Sequence, residues 1–252
     1  MDVRLYMFDG SNACLTAQLA LAAAGIEYRA VQLPPGAHAI AVRALGFRGQ
    51  TVPALQIYGR KILGSKAICH AVAELRPESG LLPDDPQLRA AIEHAEERGE
   101  RFQNALRRLM YVSASYDRTP VRALLEGTAY GRLPSPLVGL ATRGIVKAAT
   151  AAHNAKPERA LADIDLVIDV IAEVDQLVRD GIMGGEVPNV ADCQLAPNIS
   201  GLALIDHDGR LGIREHPAWQ VAERLVPRYP LDTTLNVPEP WIARMQAGLA
   251  PR

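Results

Sequence analysis

Apolar positions over the first third of the chain switch between two periods. Residues 3–7, Val-Arg-Leu-Tyr-Met, alternate like a short strand. Residues 15–24 place Leu15, Leu19 and Ala22 or Ala23 on one helical face, and Gly25 stands where a left-handed C-cap belongs. A second strand is predicted over 28–33, ended by Pro34-Pro35-Gly36, and a short helix over 39–45. Residues 52–58 then read as a strand entered at Pro53, a position where a proline removes no ladder donor. Tyr58-Gly59-Arg60 turns the chain into a second short strand over 61–63. Gly64-Ser65 opens a helix carrying Ile68, Val72 and Leu75 at helical spacing, with Ser65 as a good N-cap. The order is β-α-β-α-β-β-α.

The remainder reads as helical. Residues 76–86 are rich in Pro, Asp, Glu and Ser and form a linker. A long helix is expected over 86–111, with Glu93, Glu96, Glu97, Glu100 and Arg101 on a solvated face. Residues 160–179 repeat apolar positions at Leu161, Ile164, Ile168, Ile171 and Val174 before Gly181. Between these helices, about 112–157 is broken at Pro120, Pro134 and Pro136. It is expected to be an irregular insertion that packs over the cleft between two domains and shapes a pocket. Asn189 followed by Asp192 makes a capping-box variant ahead of an apolar helix over 193–205. From His216 the chain is expected to form a final helix and then an extended segment broken by prolines.

The string TVPAL, then a hairpin, then GSKAI resembles the second half of the thioredoxin-like domain of glutathione transferases, and the capping box about 130 residues later also matches that family. The resemblance implies a thioredoxin-like α/β domain at residues 1–78 and an all-helical domain at 86–252. It is nearest to serine-type, theta-like bacterial members. In the family the proline is cis, the residue before it pairs with the backbone of glutathione, and an acidic residue plus a serine hold the γ-glutamyl end. Carried over, Val52 and Pro53 match the loop and Ser65 matches the serine. Gly64 stands where the acid usually is.

The loop after the first strand is the candidate centre of chemistry. A hydroxyl at Ser11, just before the first helix, can donate to a bound thiol where amide dipoles favour the thiolate. The nucleophile is then the cofactor's sulfur. Lowering a thiol pKa by ~2 units takes about 2.7 kcal/mol. Tyr6 at the strand's end is an alternative donor, and Cys14 an alternative one-thiol nucleophile. Asn12 is a candidate to help position the thiol. With Ser11 at the first position of what would be a CxxC, two-thiol disulfide exchange is unavailable.

Composition narrows the rest. Lys and Arg number 27 against 28 Asp and Glu, for a net charge of -1, which gives no footprint for nucleic acid. No apolar run approaches the ~20 residues of a membrane span, and the first residues lack a basic-then-apolar leader, so neither a membrane partner nor secretion is expected. Cys14, Cys69 and Cys193 are scattered, which points to a reducing cytoplasm rather than a disulfide scaffold or zinc site. The histidines, 38, 70, 94, 153, 207 and 216, show no metal-ligand spacing. Residues 206–209, Asp-His-Asp-Gly, read as a turn. The expected function is a glutathione transferase-like enzyme that activates glutathione, or another low-molecular-weight thiol, against a small-molecule electrophile, acting as a homodimer. The alternative is a binding or scaffold protein that keeps the fold without the thiol chemistry.

Overall fold

The computed structural model describes residues 3–206, 208–231 and 233–250. Its first part is a four-stranded mixed sheet of β1 (Val3–Met7), β2 (Arg29–Gln32), β3 (Ala54–Ile57) and β4 (Arg60–Leu63), in the order β2-β1-β3-β4. β1 runs parallel to β2, with Leu5 opposite Ala30, and antiparallel to β3, with Leu5 opposite Leu55. β3 and β4 form a hairpin in which Tyr58 and Gly59 both take positive φ, 49° and 79°. That two-residue turn matches the twist of the flanking strands.

Helices α1 (Asn12–Ala23) and α3 (Ser65–Leu75) pack together beside the sheet, while α2 (His38–Ala44) follows β2. The period-two reading of β1 is visible in its burial. Val3, Leu5 and Met7 join the main core, whereas Tyr6 belongs to a small cluster with Leu33, Val42, Phe47 and Ala54. This is the thioredoxin-like arrangement expected from the sequence.

The second part is helical: α4 (Pro86–Tyr116), α5 (Thr119–Glu126), α6 (Ser135–Ala152), α7 (Ala160–Arg179), α8 (Val190–Ser200), α9 (Pro217–Leu225) and α10 (Glu239–Leu249). α8 is buried along its whole length and packs on α1, α3, α4 and α9. One hydrophobic cluster therefore runs through both parts of the molecule, from Leu5 and Ile68 to Phe102 and Leu195. Gly99 of α4 permits a close approach to α8, because a Cβ there would lie 2.7 Å from the Gln194 side chain and 3.1 Å from that of Leu195.

Three expectations change. The stretch 112–157 is not irregular: α4 continues to Tyr116, and α5 and α6 form a helical pair. Pro120 and Pro136 lie in first turns and Pro134 is an N-cap residue, positions where a missing amide costs nothing. The tail is not simply extended, because α10 buries Trp241, Ile242, Met245 and Leu249 and also carries its proline in the first turn. The central helix starts at Val190 and gives way after Ser200 to a 3-10 turn, Gly201–Leu204. His207, within the predicted turn at 206–209, lies outside the described residues.

The N-terminus of α8 carries the predicted capping box. Asn189 Oδ1 accepts from the amides of Ala191 (2.9 Å) and Asp192 (3.1 Å), and Asp192 Oδ2 accepts from Asn189 N at 3.0 Å. Asp192 Oδ1 also takes the Gly184 amide at 2.9 Å. Burial nevertheless pushes the Asp192 carboxyl above its ordinary range, against the pull of these amides.

Candidate active site

Ser11 ends the loop after β1 and caps α1. Its extended backbone (φ -94°, ψ 113°) aims Oγ at the helix, where it accepts from Cys14 N at 3.4 Å. An N-cap of this kind uses the oxygen as acceptor, and the hydroxyl proton is free to turn, here to the neighbouring Cys14 thiol. Asn12 is already engaged. Its Nδ2 donates to Asn198 Oδ1 at 2.9 Å, and its Oδ1 accepts from the hydroxyl of Tyr229. Burial raises the Tyr229 phenol above its usual range, so it stays a donor. Asn12 thus fixes the loop to α8 and to the tail rather than reaching toward a ligand.

The second candidate region is the turn into α3. The Val52–Pro53 bond is cis, and Pro53 O accepts from Gly64 N at 2.9 Å. Among the described residues, Val52 makes no backbone hydrogen bond, which leaves its amide and carbonyl open. Gly64 has φ 92° and ψ 148°, a region essentially restricted to glycine, and a Cβ there would meet nothing within 4 Å. No side chain caps α3. Ser65 is its first residue; the side chain is buried and its hydroxyl donates to Gln194 Oε1 at 3.4 Å.

The two regions share one support. Gln194, which receives Ser65, and Asn198, which receives Asn12, lie four residues apart on α8 and so on one face of it. Asn198 Nδ2 also donates to Gln194 O at 2.6 Å, and Gln194 Nε2 donates to Gln103 Oε1 on α4 at 3.2 Å. The N-termini of α1 and α3 therefore converge on the same strip of the helical domain. Two positive dipole ends beside an unpaired backbone edge can receive anionic groups and an extended peptide main chain.

The alternative donors fare differently. Tyr6 is 4% exposed, packs edge-to-face on Phe47 at 5.7 Å and points its hydroxyl to Gln56 Oε1 at 3.4 Å, within the small core cluster. That position removes it from the loop carrying Ser11. Cys14 is buried, and burial pushes its thiol up to about 11 although the neighbouring Ser11 pulls it down, so at neutral pH it is a protonated thiol. Arg107 of α4 comes near enough to Cys14 to interact with it electrostatically, and burial lowers the guanidinium from its usual range. It brings positive charge to the same domain boundary.

A cavity of about 410 Å3 adjoins this loop at Phe8 and Asp9, with Leu33, Leu124, Thr128 and Leu231 among its walls. Ser11 itself does not line it. α5 and the turn after it supply one wall, and the turn is tied across by Tyr130, whose hydroxyl donates to Pro35 O at 2.9 Å. Leu231 packs on Gly10, where a Cβ would come within 2.8 Å of it. Among the described residues no group of three or more His, Cys, Asp or Glu is placed to hold a metal ion. Sequence reasoning missed Gln194, Asn198, Tyr229 and Leu231. Only the amides on the apolar α8 carried a hint, since buried polar residues on a core helix require partners.

Residues 5–80 match the model of the glutathione S-transferase N-terminal domain. Solved structures share the fold over nearly all of the chain. The β-etherase LigF from Sphingobium sp. strain SYK-6 is 23% identical, with a TM-score of 0.62 over 97% of this chain and 98% of that one. Glutathione transferase Omega 3C from Trametes versicolor is 17% identical, with a TM-score of 0.57 over 97% and 89%. A glutathione S-transferase from Methylobacterium radiotolerans, solved with glutathione sulfonate, is 17% identical, with a TM-score of 0.57 over 94% and 99%. No curated protein sequence matches the chain. The chain has the glutathione transferase fold.

Proposed function

We propose that the protein is a serine-type glutathione transferase. A low-molecular-weight thiol, glutathione by likeness of fold, lies along the open backbone of Val52 with its anionic end at the N-terminus of α3. Ser11 donates a hydrogen bond from its hydroxyl to the sulfur, which favours the thiolate as the thiol proton passes to solvent, and Arg107 adds positive potential at the same boundary. The thiolate attacks the carbon of an electrophile held in the cavity beside Phe8 and Asp9, forming a C–S bond as the leaving group, halide for an aryl halide, departs to solvent. The observation that carries this reading is the convergence of the α1 and α3 N-termini on Gln194 and Asn198 of α8, with the loop that leads into α1 bordering the cavity at Phe8 and Asp9. A glutathione sulfonate complex in a protein of the same fold adds support for the ligand.

The competing reading is a binding protein without thiol chemistry. Gly64 in place of an acid favours it, because the ligand's ammonium group then lacks its carboxylate, and so does a Ser65 hydroxyl turned to Gln194. Calorimetric titration with reduced glutathione separates the two. We expect saturable binding at micromolar to low-millimolar concentration, weakened in Ser65→Ala, and turnover of a generic aryl halide that Ser11→Ala abolishes. Absence of heat at several millimolar glutathione contradicts the transferase reading.

A further inference from the structure

The outer face of α6 is apolar where a solvated helix face is usually charged. Val138, Thr142 and Val146 bury one side of the helix, which packs on α4 and α5. Turned away from them, at spacings of three and four, lie Leu137, Leu140, Gly144, Ala148 and Ala151, all exposed, and Leu133 precedes them in line. Leu137 is 50% exposed, Leu140 66% and Leu133 42%. A solvated helix face ordinarily carries charged and polar side chains there. Here those positions hold leucine, glycine and alanine, with exposed Arg143 and Lys147 along one flank.

Charge selects the partner. From Gly127 to Pro157 the chain contains Arg132, Arg143, Lys147 and Lys156 and no Asp or Glu. Glu126, at the edge of this stretch, is paired with Arg122 at 2.8 Å. A second copy docked on the same face would set like charges against each other. The leucines protrude from one convex helix rather than lining a groove, which suits a deformable acyl phase. Apolar side chains flanked by cations are the composition of helices that lie in the interface of an anionic bilayer.

We propose that α6 is a membrane-docking surface, with Leu137 and Leu140 entering the acyl chains of an anionic bilayer while Arg132, Arg143 and Lys147 meet its phosphates. No helix among the described residues is long and apolar enough to cross a membrane, so α6 lies on the surface rather than spanning it. α5, packed on α6, walls the cavity, so docking brings that cavity to the lipid surface. The inference stands on α6 alone and is independent of the thiol chemistry.

The test is flotation of the full chain with vesicles of phosphatidylcholine, alone or with phosphatidylserine. We expect partition onto the phosphatidylserine vesicles only, weakened by high salt. Arg143→Ser with Lys147→Ser should weaken it roughly 25-fold, at about fivefold per basic residue. Leu137→Asp with Leu140→Asp should weaken it about tenfold or more, since the apolar contribution is lost. These positions are exposed, so the variants should melt like the parent chain. In Leu140→Trp the introduced indole should shift its emission to the blue on binding and be quenched by brominated acyl chains. Failure to float, flotation unchanged in the Ser and Asp variants, or an unshifted emission from Leu140→Trp would each overturn the proposal. Retention on immobilised polyglutamate without flotation would overturn it in favour of an acidic protein partner.

Discussion

The N-termini of α8 and α3 show two ways to end a helix. At α8, Asn189 and Asp192 occupy every amide they can reach, inside the core. At α3, Gly64 has no side chain to offer, and Val52 beside it leaves its backbone open. A helix end satisfied by its own chain is structural. One left open at the surface of a cleft keeps its dipole and amides for something else. α1 stands between them, since Ser11 caps through its oxygen and turns its hydroxyl to the Cys14 thiol.

Breaking the closed end should have the largest effect. Asp192→Ala removes a cap and strands the amides of Gly184 and Asn189, so we expect a loss of about 2–4 kcal/mol in denaturant unfolding. Glutathione affinity of the folded variant should stay unchanged. Filling the open end should do the reverse. Gly64→Glu forces a side chain onto φ 92°, at about 1–3 kcal/mol of stability. It also supplies the carboxylate for a ligand ammonium, so melting temperature should fall while calorimetric affinity for glutathione rises. If affinity is unchanged, the α3 terminus is not where the γ-glutamyl end sits.

Ser65→Ala should weaken glutathione about tenfold, or about 1.4 kcal/mol, with little loss of stability, because its 3.4 Å bond to Gln194 is long. A smaller effect concerns pH. Glu96, expected on a solvated face, is buried against α3, and the hydrogen bond from His70 Nε2 to it, at 2.7 Å, raises the histidine above its ordinary range. A raised folded-state value means that the bond contributes fully below the unfolded value of about 6.5 and is lost as pH rises through the folded one. His70→Asn should flatten that decline in a series of melts taken between about pH 6 and 8.

The closed end was legible in the sequence because a capping box is local. So were the hairpin, with its Tyr58-Gly59 turn, and the strands, whose periods are set by neighbours along the chain. The prolines at 120, 134, 136 and 240 misled, because a proline that starts a helix looks the same in sequence as one that stops it. The anchoring of Asn12 was out of reach. Its partners, Asn198 and Tyr229, lie 186 and 217 residues away, and no local pattern links them. Ser65 was expected to cap α3, but Gly64 holds that place and Ser65 is the first helical residue, and its burial against Gln194 was not legible either.

The decisive measurement is a spectrophotometric pH titration of the thiolate of bound glutathione, with the parent chain beside Ser11→Ala. If Ser11 and the α1 terminus stabilise the sulfur, the bound thiol should titrate ~2 units below the ordinary cysteine value of about 8.5, and Ser11→Ala should return most of that shift. A bound thiol that titrates as it does in water, or a shift that survives in Ser11→Ala, would show that the first helix does not activate the sulfur.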